Sequence, residues 1–387
     1  MKIVLTGGGS GGHITPLLAV AHELKQLKPD AKVIFIGQRG DRLGDLPQQN
    51  PDIDEAYFVR AGKFRRYNGY GLKQLIDLPT ILKNARDGTR VIYGLAESSR
   101  LLRKIKPDII LIKGGFVGVP VGLAAAQLHI PFITHDSDAM PGLANRIIAR
   151  WAYLHAVALP KELYTTYPAA KTYTVGVPTS REFVPVDLKR VGQYREELGL
   201  DKFKQVVFVT GGGNGARQLN QYMASNAQKL LEKFPELVIV HAAGRAFEKD
   251  TQADYQKLLS EELLSRVIVK DFVSNLYRYS GAADIIIARG SATNLAEFAM
   301  QTKACIIVPA AQLIWTIKNA ETLTSKHAAV VITEAQLTAR NSLLADTCID
   351  LIDNPAERQQ LGDNLNAILA HPNAARELAQ LLLKSIS

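Results

Sequence analysis

Cysteine is scarce: Cys305 and Cys348 are the only two in 387 residues. Two thiols cannot build a disulfide framework or an all-cysteine zinc site, so a reducing compartment is expected. A membrane span is missing as well. Residues 114–134 carry no charge, but Pro120, Gln127, His129 and Pro131 interrupt them. A spanning helix needs about 20 mainly apolar residues without such breaks. Met1-Lys2-Ile3-Val4-Leu5 runs straight into glycines, so no signal peptide is expected. Nor is the composition extreme, at 47% hydrophobic and 21% charged residues. That excludes a disordered, collagen-like or polytopic membrane chain. The length suits two domains.

Charge is present, and it is lopsided. The net +9 arises wholly within residues 1–180, with 23 Lys+Arg against 14 Asp+Glu. Such an excess points to an anionic partner or to a solvated basic face. Residues 62–90 concentrate it. Lys63, Arg65, Arg66, Lys73 and Lys83 interleave there with Tyr70, Leu72, Leu75 and Ile76. That mixture suits an anionic lipid surface, or an amphipathic helix with a basic rim. No nucleic-acid fold signature accompanies it, so no nucleic acid partner is expected.

Short apolar runs alternate with helical patterns. Lys2–Leu5, Lys32–Ile36, Ile109–Ile112 and Phe132–Thr134 read as buried parallel strands. Val206–Thr210, Leu237–Ala242, Val267–Val269, Asp284–Ala288 and Ala304–Val308 repeat the style. Helices are expected at Leu17–Leu27, Val119–Leu128, Thr293–Met300 and over Pro355–Ser387, where Leu361, Leu365 and Leu369 lie four apart. The chain also repeats itself. Val4 to Gly12 and Val207 to Ala216 are each a strand, a glycine turn and a helix start. Two Rossmann-like doubly wound domains account for this, with a linker near Val175-Gly176-Val177-Pro178.

A glycine turn between strand and helix either cradles an anion or serves tight packing. Three occur: Gly7 to Gly12, Gly114 to Gly118 and Gly211 to Gly215. Binding of NAD would need an acid closing the second strand, but that strand ends in Gln38-Arg39. No Gly-Lys-Ser/Thr follows a turn, so a Walker A loop is excluded. His13 directly follows the first turn. It could donate to an anion, act as a base, or merely tie the loop.

These motifs come in a recognisable order. They are Gly7 to His13, the turn at Gly114, His135 to Arg146, Gly211 to Asn220, and Arg289-Gly290-Ser291-Ala292-Thr293-Asn294-Leu295-Ala296-Glu297. Together they resemble glycosyltransferase family 28, whose peptidoglycan members convert lipid I to lipid II. The resemblance implies an α/β GT-B fold, two Rossmann-like domains facing a cleft. Residues 1–175 would hold the acceptor's diphosphate on the membrane, and 176–355 the donor. Helices in 356–387 would pack back across the junction. The partners would be UDP-GlcNAc, lipid I (an undecaprenyl-diphosphate acceptor) and an anionic membrane surface. The protein would be peripheral on the cytoplasmic face. The transfer would be inverting and metal-independent, without a cofactor.

Matched onto the family, His13 stands for the base. Ser10, Gly11, Gly12, Gly114, Gly115, Phe116, His135, Asp138 and Asn145 would line the acceptor side. Gly213, Asn214, Gly215, Arg289, Ser291, Ala292 and Thr293 would meet the donor diphosphate. Phe272 and Val273 would take uracil, Glu297 the ribose, and Arg181, Gln312 and Asn319 the remainder of the donor. By composition alone Phe272 reads as core, Glu297 as a first-turn helix acid and His135 as a buried strut. The chain departs from the pattern in places. Asp136-Ser137-Asp138 replaces Glu-Gln-Asn, which sets a carboxylate where a diphosphate is expected. Phe116 replaces a tyrosine. In the stretch Gln312 to Lys318 and the Asn319-Ala320 pair after it, only Asn319 aligns clearly. The altered 312–318 stretch motivates one alternative, another UDP-sugar or lipid acceptor; a UDP-sugar epimerase and a nucleotide binder without catalysis are the others.

Overall fold

The computed structural model describes residues 1–62 and 78–386, with the backbone alone for 78–85. The chain forms two compact units, Met1–Ser180 with His371–Ser387, and Arg181–Ala370.

The first unit carries β1 (Lys2–Thr6), β2 (Lys32–Gln38), β3 (Glu55–Val59), β4 (Ile109–Ile112), β5 (Phe132–Asp136), β6 (Leu154–Val157) and β7 (Thr172–Thr174). The strand order is β3-β2-β1-β4-β5-β6-β7. The second carries β8 (Gln205–Thr210), β9 (Leu237–Ala242), β10 (Val267–Lys270), β11 (Ile285–Ala288), β12 (Cys305–Ile307) and β13 (Val330–Val331). Its order is β10-β9-β8-β11-β12-β13. Every pairing is parallel.

The strands read as unbroken apolar runs because both sheet faces are covered. In β8, Val207 and Val209 enter one core while Val206 and Phe208 enter another. β9 and β11 divide their residues the same way. Nine expected strands are present. The four without such runs are mainly short edge strands: β3 is mostly half-buried, β7 has one buried residue, and β13 has two residues.

The C-terminal segment divides between the units. The helix Pro355–Leu369 packs on Ala292–Met300, with Leu365 in the core that holds Leu295, Phe298 and Ala299. Gly362 allows the approach, since a Cβ there would lie 2.4 Å from the Thr302 carbonyl oxygen. The next helix, Ala374–Lys384, belongs to the first unit. It buries Ala375, Leu378, Ala379 and Leu382 on one stripe against the helix Gly11–Leu27. The units part at Ser180/Arg181, five residues beyond the expected boundary, and the chain returns at His371.

Candidate active site

Both sheets reverse their winding at one place. In the first the crossovers leave β1 and β4 in opposite directions, and in the second β8 and β11. Ligands of open α/β sheets sit beyond the strand ends at such points. A glycine turn follows β1, β4 and β8, and a single glycine at positive φ, Gly290, follows β11.

In the first unit, the turn after β1 leads into the helix Gly11–Leu27. Sequence placed that helix from Leu17. It begins at Gly11, so Gly11, Gly12 and His13 form its first turn. Ser10 is the N-cap, and its side chain caps no N–H. The turn after β4 leads into Gly118–Gln127, whose N-cap Val117 cannot cap either. Helix starts without side-chain caps favour an anion. Gly114 and Gly115 adopt φ +102° and +75° in succession. A Cβ on Gly115 would lie 2.3 Å from the Gly8 carbonyl oxygen and 3.2 Å from His13 Nδ1. Phe116 lies beside Gly9 of the first turn.

His13 Nδ1 lies 3.0 Å from the Gly8 carbonyl oxygen and 3.1 Å from Ser10 Oγ. A carbonyl only accepts, so a neutral ring carries its proton on Nδ1 and keeps a lone pair on Nε2. Burial, then the Lys113 ammonium, pushes the ring's pKa down to about 4. Lys113 itself was not singled out from sequence. It is 4% exposed and donates from Nζ to Ser137 Oγ at 2.7 Å. Burial lowers it to about 8, against the pull of Asp138 and Asp136.

His135 is fully buried, and its Nε2 lies 2.9 Å from the Gly176 carbonyl oxygen. It fastens the chain near the unit's edge, the strut role that sequence left open. Asn145 Nδ2 donates to the His135 carbonyl oxygen at 3.0 Å. Its Oδ1 is buried without a partner among the described residues, on an amide beside Gly114. Asp138 is half-buried in the loop after β5, and Tyr164 OH donates to its carbonyl oxygen at 2.8 Å. Asp41, also missed, accepts from the Gly9 N–H at 2.6 Å. It lies three residues past the end of β2, too late for the position at which an acid was sought.

The second unit repeats the plan with different side chains. Gly215 N–H closes the turn onto the Gly212 carbonyl oxygen at 2.9 Å, around Gly213 and the exposed Asn214. The helix Arg217–Lys233 follows, and its N-cap Ala216 has no side-chain cap. After β11, Ser291 is the N-cap of Ala292–Met300. Its hydroxyl donates instead to Asn294 Oδ1 at 2.9 Å. Asn294 Nδ2 then donates to Glu297 Oε2 at 3.0 Å. Glu297 is 5% exposed and sits in the second helical turn, so it is no first-turn helix acid. Burial raises its carboxyl to about 8, only partly offset by Asn294. A buried, perturbed acid beside a switch point marks a candidate functional site. Ala292 and Thr293 open the same helix, and Asn319 Nδ2 holds the Gly290 carbonyl oxygen at 3.2 Å.

The remaining candidates differ in exposure and pairing. Arg289 is ion-paired. Its guanidinium donates to Glu334 Oε1 at 2.6 Å, and Glu334 Oε2 accepts from the Ala311 N–H. Nothing in the sequence flagged Glu334, 45 positions away. Phe272 is half-buried beneath Arg245, 4.8 Å from its ring centroid, and is absent from the two described cores that flank β8; Val273 packs on one of them. Gln312 is exposed in the turn before the helix Ile314–Ser325, whereas Asn319 is buried. Arg181 is exposed at the first residue of its unit. Lys63, Arg65, Arg66, Tyr70, Leu72, Leu75 and Ile76 lie outside the described residues.

Gly215 gives a sharp test of the second turn. Its φ is +73°, and a Cβ would lie 2.2 Å from the Ala243 carbonyl oxygen. Gly215→Ala is expected to cost about 2–4 kcal/mol from backbone strain and overpacking. A thermal melt should fall accordingly, and titration with UDP should show weakened binding. An unchanged melt would mean that the loop yields freely.

The family 28 N-terminal domain profile matches residues 3–156, and the family 28 C-terminal domain profile matches 206–378. A Bacillus pumilus protein named UDP-N-acetylglucosamine--N-acetylmuramyl-(pentapeptide) pyrophosphoryl-undecaprenol N-acetylglucosamine transferase is 30% identical, over 99% of this chain and 98% of its own. The crystal structure of Acinetobacter baumannii MurG has a TM-score of 0.68 at 24% identity, with 99% of each chain covered. A Neisseria meningitidis UDP-GlcNAc 2-epimerase bound to UDP-GlcNAc reaches 0.69 at 14% identity, over 99% of this chain and 100% of its own. These two structures share the two-unit Rossmann-like architecture. Matched by the profiles of both domains and by a relative along nearly its whole length, this chain belongs to glycosyltransferase family 28.

Proposed function

We propose that the protein transfers N-acetylglucosamine from UDP-GlcNAc to the muramyl sugar of lipid I, giving lipid II. The observation that carries this reading is the pair of switch points. Each has two helix starts without side-chain caps, yet one offers a neutral histidine and the other a buried carboxyl. Glycosyl transfer needs a base for the acceptor hydroxyl and a stabilised leaving group.

In this reading His13 Nε2 takes the proton as the acceptor oxygen attacks the anomeric carbon. The bond to UDP breaks on the opposite face, so configuration inverts. Negative charge grows on the leaving diphosphate. The amides of Gly213, Asn214 and Gly215, and the helix start at Ser291, Ala292 and Thr293, receive it. Glu297 accepts from the ribose hydroxyls, and Phe272 with Val273 borders the base. Gly11, Gly12, Gly114 and Gly115 hold the acceptor's diphosphate beside Asn145.

The lipid acceptor implies a peripheral protein at the cytoplasmic membrane face, with the basic stretch in residues 62–90 against anionic lipid. Among the described residues no helix is long and apolar enough to cross a membrane.

The test is incubation with radiolabelled UDP-GlcNAc and a short-chain lipid I analogue. Label in the lipid is the expected result. Turnover of UDP-GlcNAc without acceptor would replace this reading by an epimerase. Transfer from a different UDP-sugar alone would make the exposed Gln312 segment the mark of another donor.

A further inference from the structure

A lysine with 4% exposure needs a reason, because a buried ammonium is costly unless its charge is met. Lys113 directly follows β4, and its backbone N–H continues the ladder to the Thr6 carbonyl oxygen. β4 lies between β1 and β5. Lys113 therefore stands at the switch point itself, with the first glycine turn on one side and Asp136-Ser137-Asp138 on the other. Its Nζ is moored on Ser137 Oγ at 2.7 Å, midway along that acidic triplet.

Asp136 and Asp138 act on Lys113 from the end of β5 and the loop beyond. Asp136 is fixed by the Gly142 N–H at 2.8 Å and Tyr167 OH at 2.7 Å, so it cannot swing away. Asp41 closes the first turn through Gly9. His13 and His135 face the same ammonium, and both are held neutral by burial and by its charge. A diphosphate arriving here would meet carboxylates on both sides and needs a cation among them.

We propose that Lys113 is a positioning residue of the acceptor half-site: its ammonium, moored on Ser137, offsets Asp136 and Asp138 so that a diphosphate settles between the turns at Gly11–Gly12 and Gly114–Gly115. This rests on the reading that the first unit takes the acceptor. It also accounts for the carboxylate at position 138, which by itself repels a diphosphate.

The test is a charge-reciprocal rescue in the full chain. Lys113→Met should raise the KM for a lipid I analogue about tenfold or more, one decade per 1.4 kcal/mol of lost attraction. The KM for UDP-GlcNAc should stay within about twofold. Adding Asp138→Asn should bring the acceptor KM most of the way back. A merely structural lysine would not be rescued by removing a carboxylate. The pH profile gives a second readout. Wild-type kcat/KM for the acceptor should fall above pH 8 as Lys113 loses its proton, and Lys113→Met should lack that limb. An acceptor KM unchanged in folded Lys113→Met, or no recovery in the double variant, overturns the proposal.

If Lys113→Met does not fold, Ser137→Ala removes only the mooring. A severalfold rise in acceptor KM is then expected, and an unchanged value overturns the proposal. Farnesyl diphosphate titration separates this proposal from the functional reading. If wild type transfers nothing yet binds that probe about tenfold more tightly than Lys113→Met, the reading fails and the role of Lys113 stands. Equal binding sinks it.

Discussion

Replacing His13 by alanine is expected to lower kcat by about a hundred- to ten-thousandfold, the usual worth of a positioned base. The KM for UDP-GlcNAc should barely move, because in the proposed reading the second unit holds the donor. The geometry sets the direction of proton transfer. The Gly8 carbonyl oxygen takes the Nδ1 proton, which leaves Nε2 as the basic nitrogen. Among the described residues Nε2 makes no hydrogen bond. With its pKa near 4, the ring is already neutral at pH 6. The acid limb that His13 gives to kcat at saturating UDP-GlcNAc should therefore lie near pH 4, with kcat flat between 6 and 7.5. Stability follows the same sign. The folded ring binds a proton less readily than a free imidazole, so its contribution is complete above about pH 6.5 and fades as pH falls through 4. His13→Ala should flatten that part of the pH-dependence of melting. Retention of a tenth or more of kcat would remove His13 from the role of base.

The sequence made both sheets legible because central parallel strands are apolar on both faces. Residues such as Val207 and Phe208 announce themselves without a partner being known. Edge strands do not: Glu55–Val59 needs β2 beside it to become a strand at all. The glycine turns were legible for a related reason. Gly115 and Gly215 must be glycine, since each approaches backbone within 2.3 Å of where a Cβ would stand. Side-chain pairing was the illegible part. Glu334 neutralises Arg289 across 45 positions, and Asp41 reaches Gly9 across 32. Lys113 looked like the first residue of a turn, and only its burial gives it weight. Charge meets charge through the fold, so one-dimensional spacing could not have found these pairs.

The same distinction separates the two half-sites. Backbone does the common work in each: a strand end, a glycine turn and a helix start without a side-chain cap. Side chains then divide the labour. The first unit places an imidazole and an ammonium among carboxylates, and the second places a buried carboxyl held by Asn294. A UDP-GlcNAc 2-epimerase has the same two-unit fold at 14% identity, so the frame alone does not name the reaction.

Glu297→Gln should separate stability from binding. Free of ligand, the folded carboxyl holds its proton up to about pH 8, whereas an unfolded one loses it near 4.5. Between those values the folded form binds more protons, so the stability from Glu297 falls as pH rises, by at most about 1.4 kcal/mol per unit. Above 8 the penalty is complete. Glutamine has no such term, and the variant's melting temperature should gain on wild type from pH 5 to pH 8. Donor binding should run the other way. Two ribose hydroxyls need an ionised carboxylate to accept from both, so UDP must displace the proton. Wild-type affinity should strengthen as pH rises toward 8, with about one proton released per UDP at pH 7. Calorimetry in buffers of different ionisation enthalpy measures that release directly. Glu297→Gln should bind UDP about a hundredfold more weakly, the loss of two charge-assisted hydrogen bonds, with no proton released. Proton release that survives in Glu297→Gln would place the titrating group elsewhere and leave Glu297 a buried helix residue. Its loss, together with a stability that no longer declines from pH 5 to pH 8, would tie the perturbed carboxyl to the ribose.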